Sequence, residues 1–432
     1  MTHPRIPLPA GYAWRELTPA DRRQVVELDT WAFPSSHSAD DLEALPSPLS
    51  WDRTVGVVAG GADGLAALHA SYPFRRFPVP GGELPTAGLT WVGVHPQHRR
   101  RGLLTAMIDL HLARCVERGE PLSALFAAEA AIYGRFGYGH AANDLRLDIP
   151  RGAALRDVPG AERHTVRVEV ASRERHGAIV DRLHRAAGAA PAGVPGLNRP
   201  GWVTRETEEL QTVLWDDAPL HRGGRESRRI LLVELDGEPR GYVMFRRSLS
   251  WEPTGPRGTV SAGEVVALDA AAARALWGAL LDLDLTTEVS PFILPVDDVI
   301  TRLLVNLRAA APRTPDNLWV RVVDVPAALA GRRYAGDVDV TLAVADTRLP
   351  ANAGVYRLRA EAFAPATVER LAPDTSADLS LDVRELGAAY LGGTSLATLA
   401  AAGQLTVHRP ESLAPASAAF GWPVAPGSSW VF

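Results

Sequence analysis

From residue 89 to residue 115 the chain reads as an extended apolar run, a short basic turn and a long amphipathic helix, and no other segment restricts the fold so strongly. Leu103, Leu104, Met107, Ile108, Leu112 and Cys115 recur at three- and four-residue steps, and Gly119 with Pro121 ends the helix. A strand that feeds directly into a helix is the building unit of a mixed α/β sheet. The turn itself, from His95 to Gly102, carries Arg99, Arg100 and Arg101. The first N–H groups of a helix have no partner inside it and lie at the positive end of its dipole, and a glycine there lets a ligand approach the main chain. This turn therefore predicts an anion seat suited to a pyrophosphate. It is not a Walker loop, because no Gly-Lys-Ser/Thr follows, and it lacks the glycines of a dinucleotide fingerprint.

At 432 residues the chain predicts about three domains. In the first, Thr18, Pro19 and Asp21 start a helix with Val25, Val26 and Leu28 on its apolar side. Residues 54–59 and 65–71 form a hairpin, residues 89–94 extend, and residues 122–127 supply a further strand. Residues 151–164 dissolve into Gly, Pro and charge and mark a junction. A second α/β region follows, with a hairpin around Asp236 and Gly237, a strand over 264–268 and a helix over 272–283. Set side by side, LTWVGVHPQHRRRGLLTAMIDLHL and GEVVALDAAAARALWGALLDLDL share strand, connection and helix, but the basic connection has become Ala-rich. From residue 312 strands are expected at 318–323, 338–344, 354–360 and 379–383, with helices at 386–391 and 395–402. The expected class is α/β, with mixed α+β sheets, divided into 1–158, 159–311 and 312–432. The tail FGWPVAPGSSWVF holds Trp422, Trp430, Val431 and Phe432, too apolar for a solvated end, and is expected to dock.

Apolar residues make up 46% and charged residues 22%, which excludes general disorder. The formal charge of −5 argues against non-specific binding to nucleic acid or to an anionic membrane. All 45 basic residues other than histidine are arginines, so Schiff-base and lysine-linked pyridoxal chemistry are impossible. High-GC coding explains this, as does an amine acylator spared self-modification. Cys115 is the single cysteine, so no intramolecular disulfide forms, and no Cys/His spacing suggests a metal. Cys115 sits mid-helix, poorly placed for a nucleophile. With no apolar leader or span, a cytoplasmic setting with no membrane partner is expected.

The blocks LPTAG, VHPQHRRRGLL and AIYGRFGYG resemble the Eis (enhanced intracellular survival) family of GNAT acetyltransferases. GNAT enzymes bind the pyrophosphate of acetyl-CoA with Arg-x-x-Gly-x-Gly/Ala. Arg99-x-x-Gly102-x-Leu104 departs at the last position, as the Eis branch does. The resemblance implies an acetyl-CoA-binding GNAT domain, a second GNAT-like domain without the pyrophosphate loop, a domain similar to sterol carrier proteins, and a homohexamer. It implies direct transfer of acetyl, in a ternary complex, to a primary amine of a small cationic substrate such as an aminoglycoside or polyamine. The alternatives are a protein lysine or amino terminus as acceptor, or an apolar-ligand carrier acting through the last domain.

Carried over, the resemblance places Val92, Gly93 and Val94 along the pantetheine and Arg99, Arg100, Arg101, Gly102, Leu103, Leu104 and Thr105 around the pyrophosphate. Ala128 and Glu129, at the end of the following strand, would border the thiol. Tyr133 would be the general acid and the terminal carboxylate of Phe432 the general base, no metal being involved. A phenol with a pKa near 10 can protonate a departing thiolate, whereas a free carboxylate near 3.5 needs burial or a water to act as base. Tyr133 merely packing on pantetheine, and the tail merely plugging a groove, stay open. Trp31 and Phe33 wall an acceptor pocket or belong to the core.

Overall fold

The computed structural model describes residues 6–61 and 63–432. The amino-terminal strands are β1 (Tyr12–Glu16), β2 (Val55–Ala59), β3 (Ala67–Val79), β4 (Gly82–Val94), β5 (Leu122–Leu125) and β6 (Gly139–His140). Helix α1 spans Arg22–Ala32 and α2 spans Leu103–Arg118. Val25, Val26 and Leu28 of α1 are buried, as are Leu103, Met107, Ile108, Leu112 and Cys115 of α2, so the apolar stripes read from the sequence face the sheet. Gly119 takes a positive φ and its N–H bonds the carbonyl of Val116, which stops α2 where the glycine predicts.

The first sheet runs β1-β2-β3-β4-β5, then the strand Trp319–Val322, then β6. That sixth strand is expected, from its place in the sequence, to belong to the last domain. Its Cα partners are instead Leu122 to Leu125 of β5 on one side and Gly139 and His140 on the other. It is held there by Arg321, fully buried, whose guanidinium binds both carboxylate oxygens of Asp346 at 2.7 Å and the Phe136 carbonyl at 3.0 Å.

A second six-stranded sheet runs Ile149–Pro150, Thr286–Pro291, Gly258–Ala267, Glu238–Ser248, Arg229–Leu235 and Thr165–Val170. The hairpin turns at Asp236 and Gly237, both with positive φ. The following helix covers Ala270–Leu281, slightly ahead of the expected span. Its order repeats that of the first sheet: an antiparallel pair, a parallel neighbour, and a helix after the inner strand. The third sheet, of five strands, runs Thr367–Leu371, Gly354–Ala360, Val338–Ala345, Leu379–Asp382 and Leu405–Val407. Helices Val383–Tyr390, Leu396–Ala401 and Pro410–Phe420 cover it, and the last of these carries no clear signal in the sequence. Among the described residues no helix is long and apolar enough to cross a membrane.

Candidate active site

The parallel pairing of β4 with β5 ends at Gly88 and Ala124, yet β4 continues to Val94. The strands part there, because β4 is turned by a bulge: Ala70 pairs with Thr90 and Leu68 with Gly93, and Trp91 takes a φ of 52°. Gly93 and Val94 thus keep β3 as a neighbour on one edge, and Val92, Gly93 and Val94 have no pairing with β5 on the other, which leaves a crevice between the parted strands.

The crevice leads to the start of α2. Gly102 precedes the helix at φ 83°, a conformation costly for any residue with a Cβ, and Arg100 also has a positive φ. Among the described residues nothing accepts a hydrogen bond from the backbone amides of Arg100 to Thr105, whereas Ala106 N–H bonds the Gly102 carbonyl at 3.1 Å. Arg99, Arg100 and Arg101 are exposed and, among the described residues, form no ion pair. Six free amides and the positive end of a helix dipole lie together beside three exposed arginines, of which Arg101 donates to the Tyr12 hydroxyl at 3.2 Å, and such a set suits an anion. Leu103 is buried in the core, so its main chain and not its side chain faces this seat. His95 and His98 line the turn: His98 Nδ1 lies 2.9 Å from the Tyr12 hydroxyl, and the His95 ring lies 5.1 Å from Trp31.

On the other side, Ala128 and Glu129 lie three and four residues past the end of β5, in an irregular exposed segment, and not at the strand end as the sequence suggests. Tyr133 opens a short 3-10 turn, Tyr133–Phe136, that packs with Val92, Leu104 and Ala127 and so sits across the parted strands. Gly137 closes this turn at φ 84°, and a Cβ there would stand 2.7 Å from the Arg321 Nε. The Tyr133 phenol is buried and its pKa is pushed up to about 12 by desolvation, with the Glu129 carboxylate adding to the rise. Tyr138 is fully buried just before β6, and its hydroxyl lies 2.8 Å from Ser123 Oγ, which itself meets His111 Nε2 at 2.8 Å. That chain of polar groups is structural, being remote from solvent, and no spacing in the sequence announces it. Cys115 is buried beside it, with its thiol pushed far above the usual range.

The tail docks. Ser428 N–H bonds the Asn317 side chain at 2.9 Å, Ser429 Oγ lies 2.7 Å from His184 Nε2, and the Trp430 indole donates to the Val203 carbonyl at 2.9 Å. The Phe432 ring packs edge-on against Phe74 and Phe126, at 4.8 and 5.1 Å between centroids, and Phe432 is 8% exposed. Phe126 directly follows β5, so the end of the chain is held at the same parting of strands as Tyr133. Trp31 and Phe33 are 62% and 41% exposed, which excludes a core role. A carboxyl that the sequence reading did not single out, Asp29, stands one turn earlier on α1 with its pKa lifted to about 6 by burial.

The GNAT acetyltransferase domain family matches residues 13–141, a second GNAT acetyltransferase domain family matches 201–322, and the sterol carrier protein domain family matches 325–428. An N-acetyltransferase of Streptomyces avermitilis is 38% identical over 395 residues, spanning 90% of this chain and 92% of that one. The N-acetyltransferase Eis of Mycobacterium tuberculosis is 34% identical over 385 residues, spanning 85% of this chain and 87% of its own. The chain belongs to the Eis family of GNAT acetyltransferases. The crystal structure of Eis1 from Mycobacterium abscessus superposes with a TM-score of 0.78 at 29% identity, covering 98% of this chain and all of that one. The Eis architecture of two GNAT units and a sterol-carrier-like unit accounts for the three larger sheets. It also makes the molecule an acetyltransferase.

Proposed function

We propose that this Eis-family chain transfers acetyl from acetyl-CoA to a primary amine of a small molecule, directly and within a ternary complex. The observation that carries the reading is the run of unpartnered amides from Arg100 to Thr105, flanked by three unpaired arginines, at the mouth of the crevice between β4 and β5. These residues would hold the diphosphate of acetyl-CoA, which when bound supplies the acyl thioester. Val92, Gly93 and Val94 would pair their free backbone edge with the pantetheine amides. Ala128 and Glu129 would border its thiol end, and the exposed Trp31 and Phe33 would face the acceptor.

In this reading the C–N bond forms as the C–S bond breaks. The terminal carboxylate of Phe432 takes a proton from the amine, directly or through water, and the Tyr133 phenol delivers one to the departing sulfur. A phenol lifted to about 12 is fully protonated at neutral pH and so is available as a donor. The division into 1–158, 159–311 and 312–432, with the strand Trp319–Val322 returning to the first sheet, and assembly as a hexamer in the cytoplasm complete the proposal.

A thiol-release assay with a panel of amines tests this reading. Aminoglycosides and polyamines stand beside monoamines and a lysine peptide, and turnover on the peptide alone would move the acceptor class to protein. Stabilisation by fatty acyl ligands without any by acetyl-CoA would favour a carrier role for the last domain. No release with any amine, and no affinity for coenzyme A, would overturn the reading.

A further inference from the structure

Six arginines line one cavity of about 790 Å³ in the second GNAT unit, and only two carboxylates, Asp148 and Glu264, share its wall. The cavity lies where strands Gly258–Ala267 and Thr286–Pro291 stop pairing, at Ala262 and Pro291, beside the bulge residue Gly263. This is the strand relationship that opens the crevice between β4 and β5. The phosphate seat has no counterpart, however, since the helix Ala270–Leu281 is capped by its own Asp269, whose side chain accepts from the Ala272 N–H. The second unit has kept the crevice and changed its chemistry.

Four of the guanidiniums are neutralised: Arg146 by Asp144, Arg205 by Glu264, Arg246 by Asp217 and Arg313 by Asp148. Arg225 and Arg228 are not. Arg225 donates to the Arg222 carbonyl and to Ser261 Oγ, and Arg228 to the carbonyls of Leu214 and Asp216, and among the described residues neither meets a carboxylate within 4 Å. Burial, and then the nearby charge of Arg246, lower the pKa of Arg228 by more than the Asp217, Asp216 and Glu264 carboxylates raise it. Arg246 adds a buried Nε with no hydrogen-bond partner. Leu147, Leu214, Met244, Phe245 and Phe292 supply an apolar wall, and the terminal segment supplies another through Trp430 and Val431.

We propose that this cavity is a binding site for an organic anion with an apolar body, its carboxylate or phosphate held by Arg225 and Arg228 and its body packed against Phe245, Met244 and Trp430. Guanidiniums match both oxyanions in geometry, and the volume is that of a small-molecule site. The site is separate from the diphosphate seat at Gly102, and a ligand in it rests on the residues immediately preceding Phe432.

Calorimetric titration of the full-length protein with octanoate, octyl phosphate, inorganic phosphate, octanol and octylamine tests the proposal. Octanoate or octyl phosphate should bind at least tenfold more tightly than octanol or octylamine, and whichever of the two is tighter names the anion. Inorganic phosphate should bind at least tenfold more weakly than octyl phosphate. Arg225→Gln, which gives up only two local bonds, and Arg228→Gln should each weaken the amphiphilic anion about tenfold while acetyl-CoA affinity is unchanged. Arg99→Gln should leave the amphiphile's affinity unchanged. Equal binding of octanol, unchanged affinity in a folded Arg225→Gln protein, or loss of the amphiphile in Arg99→Gln would each overturn the assignment.

Discussion

The ring of Phe432 meets the ring of Phe126 edge to face, with 5.1 Å between their centroids. One residue is Phe432 of the docked tail and the other directly follows β5, the strand that parts from β4 after Gly88 and Ala124. The contact holds the Phe432 ring beside the end of β5 even though about 300 residues of sequence lie between. Adding two or three residues after Phe432 should therefore leave acetyl-CoA affinity unchanged and lower kcat by roughly 10²-fold or more, the usual size of a lost general base. Full turnover in the extended protein would remove Phe432 from the mechanism.

Tyr133→Phe keeps the ring within its apolar cluster, edge-on to Tyr138, and removes only the hydroxyl. Acetyl-CoA binding should persist while kcat falls by roughly 10²- to 10⁴-fold. Because the phenol is lifted to about 12, it keeps its proton throughout the neutral range, so its loss of activity on deprotonation belongs near pH 12. A pH–rate profile in which an alkaline limb between pH 8 and 9 disappears with Tyr133→Phe would contradict this.

Gly102→Val places a β-branched residue at φ 83°, where an L side chain is strained by about 1–2 kcal/mol. The nearest atom to a Cβ there is Pro9 Cγ at 3.6 Å, an ordinary contact, so strain and not a clash should dominate. The turn should relax away from its amide-presenting form and acetyl-CoA affinity should drop about tenfold with little change in Tm, as isothermal titration beside a melting curve would show.

Burial lifts the Asp29 carboxyl to about 6, whereas an unfolded aspartate titrates near 3.9. The folded state thus holds this proton more tightly. The stability it contributes is complete below about pH 4 and is lost as pH rises through 6. Asp29→Asn should flatten that part of the Tm-against-pH curve, and an unaltered curve would show that Asp29 is solvated.

Arg321→Met should cost about 3–5 kcal/mol, because it leaves Asp346 buried without its partner. The effect should reach the site, since Arg321 also holds the Phe136 carbonyl that ends the Tyr133 turn. Chemical denaturation gives the stability, and acetyl transfer by the folded fraction should also fall.

Much of this was legible without coordinates. The periodicity of α2, its glycine stop, the hairpin at Asp236 and Gly237, and the edges of the strand Gly354–Ala360 follow from spacing and turn chemistry that act within a few residues. The anion seat is equally local, for a helix start after a basic turn ending in glycine exposes its amides wherever it is placed. Other features depend on partners distant in sequence. Nothing near Leu318 says that the strand after it crosses back to β5, and nothing near Arg225 or Arg228 says that Trp430 closes a cavity with them. His184 anchors Ser429, and Asn317 anchors Ser428, across gaps of 245 and 111 residues.

The sequence by itself determined most of the elements, the similar layout of the first two units and a basic, glycine-ended helix start with free amides, because backbone hydrogen bonding, glycine's freedom of φ and apolar periodicity are properties of short segments. The tertiary structure alone decided that strand Trp319–Val322 completes the first sheet, that the Phe432 ring packs against Phe126 after β5, and that a cavity of the second unit is walled by arginines. Those outcomes rest on burial and charge pairing between remote residues, which only a fully packed chain brings into contact.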